Sequence, residues 1–210
     1  QGRKPACAAA PSLRNMTMQK LNRADLFSLE NYAVERGNFK DRVLAHKRNR
    51  KVALGAHISL LFEDRLTIQY QIQEMLRIER IFEAAGIEEE LAAYNPLIPD
   101  GRNLKATMLI EYDDVDLRKI ELEKLLRVED HITAAVDGHP EIIAIADEDM
   151  ERSNETKASA VHFLRFEFTE PMITSLRAGA AMKIVSTHAH CQVSTEITGD
   201  TRTALLADFD

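Results

Sequence analysis

The segment from residue 52 to residue 63 alternates apolar and polar side chains, which predicts a β-strand. Apolar residues at positions 54, 56, 58, 60 and 62 share one face of such a strand. His57 and Glu63 lie together on the opposite face. The strand is therefore expected to bury one side and to present a histidine and a carboxylate on the other.

A long helix is predicted to follow, from the turn at residues 63–64 to residue 85, because its apolar residues recur at helical spacing. Gln71 and Glu74 extend one of its two apolar stripes, so both side chains are expected to be half-buried. A carboxylate in such a place must be paired or must bind a ligand. Arg77, three residues further on, is the nearest partner for Glu74, which leaves a structural ion pair and a ligand site as alternatives.

The same patterns predict the remaining elements. Helices are expected at 19–35 (ending before Gly37), 87–94, 115–128 and 169–179, a short helix or turn at 39–51, and strands at 105–112, 131–136, 141–146, 159–168 and 181–190. Asp137-Gly138 joins two of these strands and is a strong hairpin signal. The pattern predicts a single α+β domain with a mostly antiparallel sheet of five to seven strands and helices packed on one side.

The folded domain is expected to span residues 18–198. Residues 1–17 are interpreted as an extension that is disordered or left over from expression. Residues 199–210 are polar with a short helical end and are interpreted as a C-terminal tail.

Composition and charge narrow the class of partners. The 210 residues carry 34 acidic and 27 basic side chains, a formal net charge of −7, so neither nucleic acid nor a membrane surface is an expected partner. No apolar stretch is long enough to span a membrane. Cys7 and Cys191 are too far apart in sequence for a CxxC metal site or a disulfide framework. The chain is expected to be cytoplasmic, and a homo-oligomer is left open.

One basic segment stands out in this acidic chain. Lys47, Arg48 and Arg50 concentrate positive charge within four residues, which indicates a site for phosphate or another anion. The alternative is a solvated face that precedes a strand.

Histidines supply the second hypothesis about chemistry. His57, His162 and His188 lie on three separate predicted strands. Together with the carboxylate of Glu74 they could bind a non-haem iron, manganese or zinc ion. For His162, which shares a strand face with apolar residues, a neutral core histidine is the alternative. The candidate ligand or metal-binding residues are His57, Glu63, Gln71, Glu74, Arg77, His162, Glu167 and His188.

Several long motifs resemble one known family. They read LNRADLFSLENY, HKRNRKVALGAHISLLFEDRLTIQYQIQEMLRIERIFE, LAAYNPLIPDG, KATMLIEY and AIADEDMERSNETKASAVHFLRFEF. Over residues 18 to the last strand, the chain resembles the bacterial domain-of-unknown-function family 3501. The candidates from Glu63 to Arg77, His162 and Glu167 fall on the family's motif positions. The end departs from the family, which has one histidine followed by proline where this chain has His188-Ala189-His190.

The family has no established activity, but the resemblance implies a single domain linked to iron or peroxide-related redox metabolism. It implies an iron–sulfur oxidoreductase or a rubrerythrin as partner. The leading expectation is thus an accessory or metal-binding component of such a redox or oxidative-stress system. The alternatives are a metal-dependent enzyme, either an oxidoreductase or a hydrolase, and a non-catalytic anion-binding or interaction module.

Overall fold

The computed structural model describes residues 19–148 and 159–209. The extension expected at residues 1–17 lies outside these ranges. Within them the chain forms six α-helices and nine strands, arranged in two antiparallel sheets. This confirms the predicted α+β class with antiparallel pairing, although the strands divide between two sheets.

The strands, in chain order, are β1 (Lys51–Leu54), β2 (Ile58–Phe62), β3 (Asn103–Ile110), β4 (Ile132–Val136), β5 (Ile142–Ile143), β6 (Ile145–Ala146), β7 (Val161–Glu167), β8 (Met182–His188) and β9 (Cys191–Glu196). The first sheet has the order β1-β2-β3-β7-β6 and the second β5-β4-β8-β9. The helices are α1 (Leu29–Lys47), α2 (Arg65–Glu79), α3 (Ala84–Tyr94), α4 (Val115–Lys124), α5 (Glu170–Arg177) and α6 (Gly199–Leu206).

The main core lies between the two sheets. Leu60, Met108 and Phe166 from the first sheet pack in one cluster with Ile132 and Ile184 from the second, and all five are fully buried. Burying this apolar surface is the largest favourable contribution to folding.

Two connections hold the sheets together. Strands β5 and β6 are separated only by Ala144, whose N–H donates to the carbonyl of Ile132 in the second sheet, while β6 pairs with β7 in the first. At the opposite edge, the Thr195 hydroxyl on β9 donates to the carbonyl of Ala53 on β1 at 2.7 Å. The sheets therefore meet along both sides of the core.

Helices α1, α2 and α3 form an outer layer. Ile68 and Ile72 of α2 pack with Leu91 of α3 and with Phe163, which points outward from β7. Tyr32 and Phe39 of α1 form a separate aromatic cluster that packs against Tyr70 of α2.

Two of the predicted elements differ from the structure because of glycine. Residues 52–63 form a hairpin, β1 and β2, rather than one strand, and Gly55 adopts φ +74° in the turn. Gly37 lies inside α1, where the helix continues to Lys47. A glycine within a helix costs about 1 kcal/mol at most, which the burial of Tyr32 and Phe39 offsets.

The predicted end of the long helix is also different. Helix α2 ends at Glu79, because Arg80 adopts a left-handed conformation, and Gly86 lies within the next helix. The predicted hairpin at Asp137-Gly138 is confirmed by the pairing of β4 with β5. His162 was predicted to share a strand face with apolar residues, and in the structure His162, Leu164 and Phe166 are all buried.

Residues 199–209, which the sequence pattern assigns to a tail, pack into the domain. Leu205 and Phe209 are buried in the main core. In the described part of the chain, no helix has the length and apolar content to cross a bilayer.

Candidate functional site

Glu74 lies between α1 and α2 with its carboxylate surrounded by donors. The Tyr32 hydroxyl donates to it at 2.7 Å, and the Arg36 guanidinium donates through two nitrogens at 2.8 and 2.9 Å. Arg77, the partner expected from the sequence, adds a further contact at 3.1 Å. The Arg36 hydrogen bonds, more than any other contact, lower the pKa of Glu74 to about 2. This carboxylate is ionised and has its acceptor positions occupied.

Arg50 is buried at the junction between β2 and the C-terminal helix α6. Its guanidinium donates to the carbonyls of Phe62 and Glu63 and forms an ion pair with Asp208. Asp64 lies 3.6 Å away on the other side. A buried cation requires this kind of compensation from counter-ions and carbonyls. Arg50 is therefore a structural cation.

The same network extends through Asp64 to the surface. Asp64 caps α2 by accepting from the backbone N–H of Thr67, and His46 donates to its other oxygen at 2.5 Å. Burial by itself raises the pKa of Asp64, but the hydrogen bond from His46 and the charge of Arg50 hold that pKa below its usual range. Burial raises the pKa of Asp208 to about 6, although Arg50 acts in the opposite direction.

His162 joins the two sheets. Its Nδ1 lies 2.8 Å from the carboxylate of Asp147 and its Nε2 lies 3.0 Å from the carbonyl of Ser159. Glu129, in the turn before β4, places a carboxylate oxygen 3.6 Å from Nε2. Burial lowers the pKa of His162, but the Asp147 hydrogen bond and the Glu129 charge outweigh burial and raise it. Both ring nitrogens face acceptors, so the site stabilises an imidazolium.

His188 occupies the end of β8 and has both ring nitrogens engaged. Nε2 donates to the carbonyl of Leu126 at 3.2 Å, and Nδ1 accepts from the backbone N–H of His190 at 3.3 Å. Burial is the main cause that lowers the pKa of His188. The His131 ring packs edge-on against it, with centroids 5.2 Å apart.

His57 lies in the turn between β1 and β2, at one wall of a cavity of about 270 Å³. This space, here called the joint cavity, opens where the β1–β2 turn meets the β8–β9 turn. Its lining residues are Leu54, Gly55, Ala56, His57, Ile58, Tyr112, Leu125, His190, Cys191, Gln192 and Val193. The His57 ring stacks on Tyr112 with centroids 4.1 Å apart and an angle of 16° between the planes.

A second cavity of about 330 Å³ lies in the helix layer. It is here called the apolar groove, and its lining residues are Arg23, Leu26, Phe27, Ser28, Leu29, Glu30, Leu76, Ile81, Phe82 and Ile87. The Phe82 side chain at its edge is 63% exposed. Ile78, on the last turn of α2, is 61% exposed.

The remaining candidates have individual surroundings. Glu63 is buried and accepts from the Thr107 hydroxyl at 2.5 Å. Gln71 is half-buried on α2. Glu167 accepts from the side chain of Asn103 at 3.3 Å.

The three basic residues predicted to bind an anion differ in their exposure to solvent. The Lys47 ammonium lies 5.7 Å from the centre of the Tyr70 ring, and Arg48 is exposed. Arg50 is buried with its own counter-ions, so it does not share a surface with the other two.

The histidines and carboxylates therefore occupy separate places. Glu74 lies in the helix layer, and His162 lies between the two sheets. His57 lies in the β1–β2 turn, and His188 lies at the end of β8. Within residues 19–148 and 159–209, no group of three or more His, Cys, Asp or Glu side chains is arranged to hold a metal ion.

Several residues of these networks were not predicted. Asp64 had a signal, since it stands three residues before Thr67 at the start of a helix, a spacing typical of a cap. Asp208 had a weaker one, because it lies in an otherwise apolar run that ends with Phe209. Arg36 and Tyr112 had none, because their partners are distant in sequence.

Fold and sites together define a two-sheet α+β domain in which Glu74, Arg50 and His162 are each engaged with neighbouring polar groups, and in which two cavities lie among the described residues. A family model described as "Protein of unknown function (DUF3501)" matches residues 20–209. The chain belongs to this family, which confirms the resemblance found in the sequence. The curated proteins contain no match.

A solved structure is similar over most of the chain. It is a 1.90 Å crystal structure of a protein of unknown function from Burkholderia pseudomallei. The two sequences are 47% identical, the TM-score is 0.87, and the alignment covers 91% of this chain and 100% of the other. At this identity the two proteins share the fold in detail.

Proposed function

We propose that the protein is a non-catalytic accessory of an iron–sulfur or rubrerythrin-type redox system and acts by binding a partner protein through the apolar groove. The observation that carries the proposal is the contrast between polar and apolar sites. Glu74, Asp64 and His162 are engaged with neighbouring side chains and carbonyls, whereas the groove is lined mainly by apolar side chains and is open.

The apolar character of the groove supports a protein partner. Its walls include Leu26, Leu29 and Leu76, and Phe82 projects at its edge. Exposed apolar side chains such as Phe82, when they border an open groove, are places where proteins bind one another. An aromatic side chain in such a position contributes a large share of binding energy. The expected occupant is an apolar side-chain ridge on a helix or loop of the partner.

The occupied hydrogen-bonding positions at Glu74 and Arg50 support an interaction role over catalysis. A catalytic acid, base or metal ligand needs a free position toward a substrate. Glu74 instead contacts two arginines and a tyrosine, and Arg50 is enclosed by carboxylates and carbonyls. The identity of the partner rests on the redox association that the family resemblance implies.

The test is direct binding to a purified iron–sulfur oxidoreductase and a purified rubrerythrin from the same organism, measured by biolayer interferometry. Phe82→Asp is expected to weaken binding by at least about tenfold, since it places a charge in an apolar contact. Val34→Asp is the matched control, because Val34 is 79% exposed on α1 and does not line the groove. This control is expected to bind like the wild type.

Equal binding by both variants would show that the groove is not the interface. Failure of the wild type to bind either protein would refute the proposed function. Metal content is measured in parallel by plasma mass spectrometry, on protein purified without chelator. Near-stoichiometric iron, manganese or zinc that disappears in His162→Ala would favour the metal-dependent enzyme.

A further inference from the structure

The joint cavity has a lining unlike that of the other sites. Among the described residues that line it, none is an aspartate, glutamate, lysine or arginine. The polar groups are two imidazoles, one phenol, one thiol and one amide. The apolar wall is formed by Leu54, Ile58 and Leu125, all buried. A lining of this composition suits an uncharged ligand, because it offers no counter-ion to a charged one.

His57 provides one hydrogen-bonding group with a defined role. Its Nδ1 lies 3.1 Å from the backbone carbonyl of Glu111, and a carbonyl can only accept. Nδ1 therefore carries a hydrogen, and Nε2 of the neutral ring carries the lone pair. Stacking on Tyr112 holds the ring in place. His57, which is exposed, thus offers a hydrogen-bond acceptor at the mouth of the cavity.

Tyr112 provides the complementary group. Within the described residues its hydroxyl has no hydrogen-bond partner, while its ring is half-buried. Burial raises the pKa of Tyr112, with a further contribution from Glu121 and Cys191. The hydroxyl therefore remains protonated and available as a donor at neutral pH.

We propose that the joint cavity binds a small uncharged aromatic alcohol of the phenol class. The ring would contact the apolar wall, and the ligand hydroxyl would donate to His57 Nε2 and accept from the Tyr112 hydroxyl. A volume of about 270 Å³ leaves room for a single six-membered ring with a hydroxyl group, such as phenol. This site is separate from the apolar groove, so this proposal can be tested independently of the proposed function.

The experiment is a titration of the protein with phenol at pH 8, where an ordinary histidine is neutral, followed by amide chemical shifts in NMR spectra. Saturable shifts are expected at Gly55, His57 and Gln192, with a dissociation constant on the order of 1 mM for so small a ligand. Benzoate and benzylammonium have similar rings but carry charges. Each is expected to bind more weakly than phenol, because no lining residue supplies it with a counter-ion.

Substitutions identify the two hydrogen bonds. His57→Phe keeps a ring that can stack on Tyr112 but removes the acceptor, and is expected to weaken phenol binding roughly three- to tenfold. Tyr112→Phe is expected to act similarly. His131→Phe is the matched control, because His131 also bonds to a backbone carbonyl through Nδ1 but lies outside the cavity. The native amide spectrum of each variant shows that it is folded.

Three outcomes would overturn the proposal. One is a set of shifts that does not saturate or that appears equally at Leu29 in the apolar groove, which indicates non-specific adsorption. Another is charged analogues that bind as well as phenol. The third is unchanged phenol affinity in both the His57 and the Tyr112 variants.

Discussion

Replacing Glu74 by glutamine removes the charge at the centre of the α1–α2 contact and preserves the shape of the side chain. In the wild type, the carboxylate accepts hydrogen bonds from Tyr32, Arg36 and Arg77. In Glu74→Gln, two guanidinium groups face a neutral amide. The variant is expected to fold normally and to be less stable at neutral pH.

The pKa of Glu74 gives the size of this effect. Its value falls from 4.5 to about 2 in the folded protein, which corresponds to about 3.4 kcal/mol of stabilisation if fully realised. The side chains of Arg36 and Arg77 are 36% and 41% exposed, so water screens both ion pairs. We therefore expect the substitution to reduce the free energy of unfolding by about 1.5–2 kcal/mol at pH 7.

The pH dependence has a definite sign. Because the folded-state pKa is depressed, the contribution of Glu74 is complete above its unfolded value of 4.5 and is lost as the pH falls through about 2. Urea unfolding of the wild type and Glu74→Gln at pH 7 and pH 3 measures it. The stability difference between them is expected to shrink to less than about half at pH 3.

A difference that is the same at both pH values would refute this reasoning. So would a difference at pH 7 no larger than that of Glu88→Gln, the control, which changes an exposed carboxylate on α3. Such surface substitutions usually change stability by about 0.5 kcal/mol or less.

Two further predictions concern the other buried networks. Arg50→Met leaves Asp64 and Asp208 without their cation and is expected to lower the free energy of unfolding by about 3–5 kcal/mol. The control, Arg48→Met in the same turn, is expected to change it by less than about 0.5 kcal/mol. Urea unfolding measures both. The raised pKa of His162 means that its stabilisation is present below pH 6.5 and is lost as the pH rises through the folded-state value. The stability difference between the wild type and His162→Gln should therefore shrink from pH 6 to pH 9, and a constant difference contradicts the imidazolium assignment.

Elements defined by local chemistry were predictable from sequence. Asp137-Gly138 specifies its hairpin because the turn requires a positive φ, and Gly138 adopts φ +82°. The inward face of β7 follows from the alternation of its side chains.

The alternating pattern did not reveal the β1–β2 hairpin, because the turn has an odd number of residues. Its turn contains three residues, 55–57, so Leu54 and Ile58 pair across the hairpin and remain on the same alternating pattern. Alternation alone therefore cannot distinguish the hairpin from one long strand. The joint cavity could not be predicted for a related reason, since it forms only where this turn meets another from a distant part of the chain.

The polar networks were predictable only where both partners lie close in sequence. Glu74 and Arg77 are three residues apart on one helix, and the pairing was recognisable as an alternative. Arg36 is 38 residues away on another helix. Whether a carboxylate is free or saturated depends on such distant donors, which no local pattern reveals.

The position of Asp208 sets an order of folding events during synthesis of the chain. It lies 158 residues downstream of Arg50, so a ribosome adding about 5–20 residues per second needs roughly 8–30 seconds to reach it after Arg50 has been made. Until then, the β1–β2 hairpin can form only with Arg50 in water or incompletely neutralised. The part of the first sheet around Arg50 is therefore expected to reach its native packing last. It does so when Asp208 has left the exit tunnel and pairs with the guanidinium.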